Sequence, residues 1–228
     1  MPFKGGAESV TEIDRWDGGV GWFAHPDERM ERASHALVVD GDVWAVDPVD
    51  ATGVDELLAD LGDVAGVVVC LDRHKRDAAA VATRHDVPVT VPEWMTGVAS
   101  QLHAPVERVD DELGDTGYRV LQVRKSTLPP WQEAALYHES AGTLLVPEAV
   151  GTAPFFLAGG ERLGVHPMLR LFPPREALAG LDPDRVLVGH GAGVFTDAAA
   201  ALDDALDGSR RRALSLYANV ARSFLSNR

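Results

Sequence analysis

Between Gly66 and Asp86 the chain reads GVVVCLDRHKRDAAAVATRHD, and this stretch narrows the choice of fold most. Val67-Val68-Val69 is a β-branched run too apolar for a surface strand. Ala78, Val81, Ala82 and His85 then recur at i, i+3, i+4, i+7, the spacing of one helix face. Asp72 fits the helix N-cap between them. Arg73, His74, Lys75 and Arg76 follow it, a charge that opposes the helix macrodipole, which favours anions there by about 0.3–1 kcal/mol. A basic cluster at a strand-to-helix turn makes sense if an anion binds among its members. For any one of these side chains, the plainer expectation is that it reaches into solvent.

With 228 residues, the expectation is one domain spanning 1–228, and 46% hydrophobic residues supply a core without disulfides. The one cysteine, Cys70, has no partner in the chain, so nothing points to an oxidising compartment. No apolar run reaches the ~18 residues of a membrane span, and no signal-like segment follows Met1, so a cytoplasmic protein is expected. The net charge of −14 argues against nucleic-acid partners, which need a basic face. The acid is dispersed along the chain and not gathered in a tail. That pattern suits a solvated surface adapted to high salt, and a halophilic archaeal source is expected.

Val10 to Trp16 and Val20 to Ala24 read as strands. His35–Val39 and Val43–Val46 form a hairpin, because Asp40-Gly41-Asp42 supplies the positive φ a tight turn needs. A helix capped by Thr52 carries Val54, Leu57, Leu58 and Leu61 and closes at Gly62. Pro88 to Val91 is a further strand, so β-α-β-α-β alternation places helices on a sheet. Tyr118 to Lys125, Gln132 to His138 and Thr143 to Val146 read as strands, mostly joined as hairpins. Residues 151–184 are proline-rich but carry many large apolar side chains, so they cover the core and do not link domains. Arg185 to Val188 is a buried strand. Two helices end the chain, one from Thr196 to Gly208 and one with a stripe of Leu214, Tyr217, Val220, Ala221 and Phe224.

This layout resembles the metallo-β-lactamase fold, a four-layer αββα sandwich of the α/β (α+β) class. Four landmarks carry the resemblance in the family's order. They are Val46-Asp47-Pro48; the strand-turn-helix at Val67 to Ala80, where the family has T-H-x-H-x-D-H; Leu144 to Ala149, where it reads L-F-x-G-D-A; and Val186 to His190-Gly191, close to V-x-P-G-H-G. The resemblance implies one or two zinc or iron ions that activate water for hydrolysis. Laid on the motif, its histidines fall on Asp72, His74 and Asp77, and its aspartate on Arg76. A later histidine falls near Pro129, the bridging aspartate on Glu148, and the final histidine is kept as His190.

The metal candidates are therefore His74, His190, Glu148, Asp77 and Asp72, with Asp47 resembling the family's carboxylate behind the metal turn. Pro129 offers no side-chain ligand, and Arg76 places a fixed positive charge where a second ion would sit. A dinuclear centre is not expected. One zinc or iron ion is the most these residues hold, and loss of the metal is the leading expectation, because ligand losses compound. Cys70 reads as a small buried apolar group, and His166 as a surface histidine. Trp94 and Trp131 line the cleft or wall the core.

Two functions follow from these residues. One is a mononuclear metal-dependent hydrolase using a metal-bound water. The other is a non-catalytic or regulatory protein that binds a small anionic ligand through Arg73, His74 and Arg76. A metal-free enzyme with His74 or His190 as base ranks last. The sequence names no substrate and no oligomeric state.

Overall fold

The structure is a computed structural model that describes residues 9–225. A seven-stranded sheet runs in chain order: β1 (Thr11–Trp16), β2 (Gly19–Phe23), β3 (Ala33–Val39), β4 (Asp42–Val46), β5 (Asp63–Val68), β6 (Val89–Pro92) and β7 (Val106–Val109). β1 to β4 form an antiparallel meander, while β4 to β7 are parallel. Parallel neighbours require crossovers, supplied by α1 (Val54–Ala59), α2 (Ala78–His85) and, between β6 and β7, residues 93–105 with one short 3-10 turn at Ala99–Gln101. The second sheet is ordered β13-β10-β9-β8, from β8 (Arg119–Thr127), β9 (Pro130–His138), β10 (Thr143–Val146) and β13 (Arg185–Val188). A two-stranded ribbon pairs β11 (Val150–Gly151) with β12 (Gly164–Val165). α3 (Arg175–Leu178) and α4 (Ala198–Leu225) lie on the outer side of the second sheet.

Residue alternation explains the layering. Val67 and Val69 pack under α1 and α2, whereas Val68 and Cys70 pack between the sheets. Likewise Leu144, Val146, Val186 and Val188 face α4, and Leu145 and Leu187 face the first sheet. Each of these strands is apolar on both faces, as a sheet covered on both sides requires. The result is the αββα sandwich. The ends of β4, β5, β10 and β13 meet at one edge, which carries Asp47, the turn 72–77, Glu148 and His190.

Several local expectations differ from the structure. α1 is preceded by Gly53 in a left-handed conformation, and no Thr52 side chain caps it. α2 begins at Ala78 with Asp77 before it, so the cations lie in the turn and not on the helix, and Asp72 is not its cap. α4 is one continuous helix through Gly208, since an interior glycine costs only ~1 kcal/mol against alanine. Of the stripe at its C-terminal end, Leu214 is exposed, while Ala213 and Leu216 are buried; the side chains of Val220, Ala221 and Phe224 lie outside the described residues.

Candidate metal centre

Asp47 follows β4 with a positive φ of 46°. Its Oδ1 accepts the Cys70 N–H at 2.8 Å, and its Oδ2 accepts His74 Nδ1–H at 3.0 Å. With Asp47 ionised, that second bond places the His74 proton on Nδ1 and leaves the Nε2 lone pair toward the cleft. His190 reaches the same arrangement independently. Its Nδ1 meets the Met30 carbonyl at 2.8 Å, so Nδ1 must donate, and its Nε2 is buried with no hydrogen-bond partner. Glycines flank it for steric reasons. A Cβ on Gly189 would lie 2.2 Å from the Pro147 carbonyl oxygen, and Gly191 has a φ of 94°.

Glu148 completes the group. Its Oε2 lies 3.6 Å from His74 Nε2 and 3.2 Å from an Arg73 nitrogen. One ligand atom each from His74, Glu148 and His190 falls within 4.8 Å of the others. Glu148 is held from behind by Glu133, whose Oε1 accepts the N–H groups of Glu148 and Ala149, both at 2.7 Å. Trp131 Nε1–H binds the other Glu133 oxygen at 2.7 Å.

Arg76 points inward. One terminal nitrogen donates to the carbonyls of Ala33 and Asp47, and the other to Gly189 O at 3.2 Å. That second nitrogen also lies 3.4 Å from His74 Nε2, a long contact that leaves the lone pair largely open. The Nε of Arg76 is buried without a partner. Arg73 is the more exposed cation; it stacks 4.4 Å over the Trp131 ring and donates to Pro130 O.

The electrostatics follow from burial. Desolvation, then Arg76 and Arg73, hold His74 well below the usual imidazole range. Desolvation, His74 and Arg76 do the same for His190, so both rings are neutral, as ligands must be. Burial raises the Glu148 carboxyl, against the pull of Arg73. Burial lifts Asp47 to about 7, against Arg76, and lowers Arg76 to about 10, where it is still a cation at neutral pH.

The structure thus brings together His74, Glu148 and His190 from the expected set, with Asp47 behind them. It leaves Asp72 and Asp77 out of the cluster. The Asp77 carboxylate accepts the Asp50 N–H at 2.9 Å, and Asp72 accepts the Gln132 N–H at 3.2 Å. Two neighbours were not expected here. His166 is buried, not on the surface, and its Nε2 lies 3.5 Å from Glu148 Oε1. Glu133 is fully buried in a strand read as plain hairpin; a lone glutamate beside Trp131 in an apolar run was the available signal. The donor set fits one ion. It does not fit two, because the Arg76 guanidinium fills the ground beside His74.

No protein-family model and no curated protein matches the chain. Solved structures do. The metallo-β-lactamase FIM-1 from Pseudomonas aeruginosa in a mono-zinc form matches with TM-score 0.58 at 9% identity, over 91% of this chain and 98% of that one. The metallo-β-lactamase DIM-1 matches with TM-score 0.56 at 11% identity, over 90% and 98%. A flavo di-iron protein from Thermotoga maritima matches with TM-score 0.63 at 14% identity, over 89% of this chain and 63% of its own. The chain therefore has the metallo-β-lactamase fold. Among the described residues, no helix is long and apolar enough to cross a membrane.

Proposed function

We propose that this protein is a metal-dependent hydrolase built around one ion, held by His74 Nε2, His190 Nε2 and one oxygen of Glu148. The observation that carries the reading is the buried, partnerless Nε2 of His190, on a residue that has one ligand atom within 4.8 Å of one each from His74 and Glu148. A zinc or iron ion there supplies Lewis acidity toward water and toward a carbonyl or phosphoryl oxygen. Asp47 holds His74 in its ligand tautomer, and Met30 holds His190. Arg76 supplies a fixed positive charge in place of a second ion, with both terminal nitrogens donating to carbonyls. Arg73 presents the cation open to substrate at the rim, which favours an ester, thioester or phosphoester carrying an anionic group.

Elemental analysis after exhaustive dialysis tests this, with about one equivalent of zinc or iron per chain expected. Less than about a tenth of an equivalent, with no zinc regained on titration, sinks it. A second reading, anion binding without metal, draws support from the exposed Arg73 over Trp131. It expects phosphate or small carboxylates to raise the melting temperature at constant ionic strength, and no metal to be retained.

A further inference from the structure

We propose that His166 is a positioning residue that fixes which oxygen Glu148 presents to His74 and His190, an inference that rests on the mononuclear reading above. The orientation of the ring follows from its neighbours. The Met168 N–H meets His166 Nδ1 at 3.2 Å, so Nδ1 is the acceptor and the proton of the neutral ring sits on Nε2. Pro167 intervenes without an N–H, which makes Met168 the first backbone donor after His166 able to reach back. The Nε2–H then faces Glu148 Oε1 at 3.5 Å. That distance is long for a hydrogen bond, and such contacts commonly tighten when a site is loaded.

The two loops cannot slide past one another. His166 N–H donates to Ala149 O at 2.9 Å, and Val165 pairs with Val150 in the ribbon. Trp131, Phe155 and Phe156 wall the ring at centroid distances of 5.0, 5.7 and 5.5 Å, all near edge-on, so it has little room to turn. With Oε1 facing His166, Oε2 faces His74 and Arg73. Glu148 is thereby presented as a ligand through one oxygen. Glu133 sets the height of the same residue through its backbone, and His166 sets the rotation of its carboxylate.

The test compares wild type, H166F and H166Q. Phenylalanine keeps the aromatic packing and removes the donor, while glutamine restores a donor of similar reach. Zinc affinity is measured by competition with a chromophoric chelator, and melting of the metal-free proteins reports on the fold. H166F is expected to bind zinc about 10- to 100-fold more weakly, as loss of a partner behind a ligand usually does, with part of the loss regained in H166Q. H166F within twofold of wild type overturns the proposal.

If wild type binds no zinc, the mononuclear reading fails and the positioning claim is read from crystal structures of the metal-free proteins. Rotation of the Glu148 carboxylate away from His74 in H166F supports it, and an unchanged carboxylate overturns it. If H166F does not fold, nitrogen-15 NMR of wild type decides: a proton on His166 Nε2 with an acceptor Nδ1 is expected, and the opposite tautomer overturns the assignment.

Discussion

Arg170 and Arg76 are both buried arginines, and they are buried in opposite ways. Arg170 is fully enclosed, and every nitrogen of its guanidinium has a partner. Glu161 accepts from both terminal nitrogens at 2.9 and 2.6 Å, Val165 O accepts from Nε at 3.1 Å, and Phe156 O takes a further N–H. Its own carbonyl accepts the Ser209 hydroxyl. Around Arg76 stand three carbonyls and an imidazole, no carboxylate is paired with it among the described residues, and Nε has no partner. The first region is closed: charge and hydrogen bonds are satisfied, and it ties the loop 156–170, which carries His166, to α4. The second is open: Arg76 meets Asp47, Glu148 and Glu28 only through space, with no paired carboxylate among the described residues, and the lone pair of His190 Nε2 is without a partner. Incomplete satisfaction at the meeting point of four strand ends is what the proposed ion site rests on.

Four changes break or sharpen this contrast. The largest effect belongs to the closed region. E161A leaves Arg170 buried and unpaired, and should cost ~3–5 kcal/mol in urea unfolding. R76M comes next, and its two readouts move in opposite directions. Losing the guanidinium removes one donor from each of three carbonyls, of which Asp47 O keeps the Ser34 hydroxyl and Gly189 O keeps the Ala33 N–H, and should cost ~1–2 kcal/mol of stability. It also frees His74 Nε2 and removes a like charge beside the ion, so zinc should bind at least about tenfold more tightly. Weaker zinc binding in a folded R76M would mean that Arg76 supports the ion and does not stand in for a second one.

The third change concerns pH. His35 lies between the sheets with its Nε2–H on Val188 O, and burial, reinforced by Arg76, lowers it from 6.5 to about 4. As pH falls from 6.5 toward 4 the unfolded chain takes up a proton that folded His35 refuses. This group therefore stabilises the fold fully above pH 6.5, and the contribution is lost as pH falls through that window by about 1.4 kcal/mol per unit. H35Q should make stability against pH shallower by one proton there, measured by urea unfolding at stepped pH. The smallest effect is R84A. Arg84 is a third arginine, exposed and paired with Asp50 and Asp55, and its loss should cost no more than ~1 kcal/mol and fade with salt.

The fold was legible in the sequence because its strands are apolar on both faces. Val67-Val68-Val69, Leu144-Leu145-Val146 and Val186-Leu187-Val188 each feed two core layers, and no surface strand reads that way. His74, Glu148, His190 and Asp47 were legible because they sit at strand ends in a recognisable order. His166 was not, since its burial depends on Trp131, Phe155 and Phe156 closing around a loop that shows no periodicity. Glu133 was hidden by its strand, and only the geometry shows that its carboxylate accepts backbone N–H groups from another strand end. The start of α2 differs from the sequence expectation for a related reason. Asp72 has the chemistry of a cap, but its carboxylate is drawn to the Gln132 N–H of the facing sheet. Tertiary pairing outweighed the local signal, as it also did at Gly208, where packing against β12 and β13 carries α4 through a residue that commonly ends helices.

The most direct measurement is a crystal structure of the protein soaked in zinc, with anomalous differences recorded above and below the zinc edge. One peak is predicted, bounded by His74 Nε2, His190 Nε2 and a single oxygen of Glu148, with the Arg76 guanidinium still on the carbonyls of Ala33, Asp47 and Gly189. No peak among those three residues, or a second ion displacing Arg76, would contradict the account.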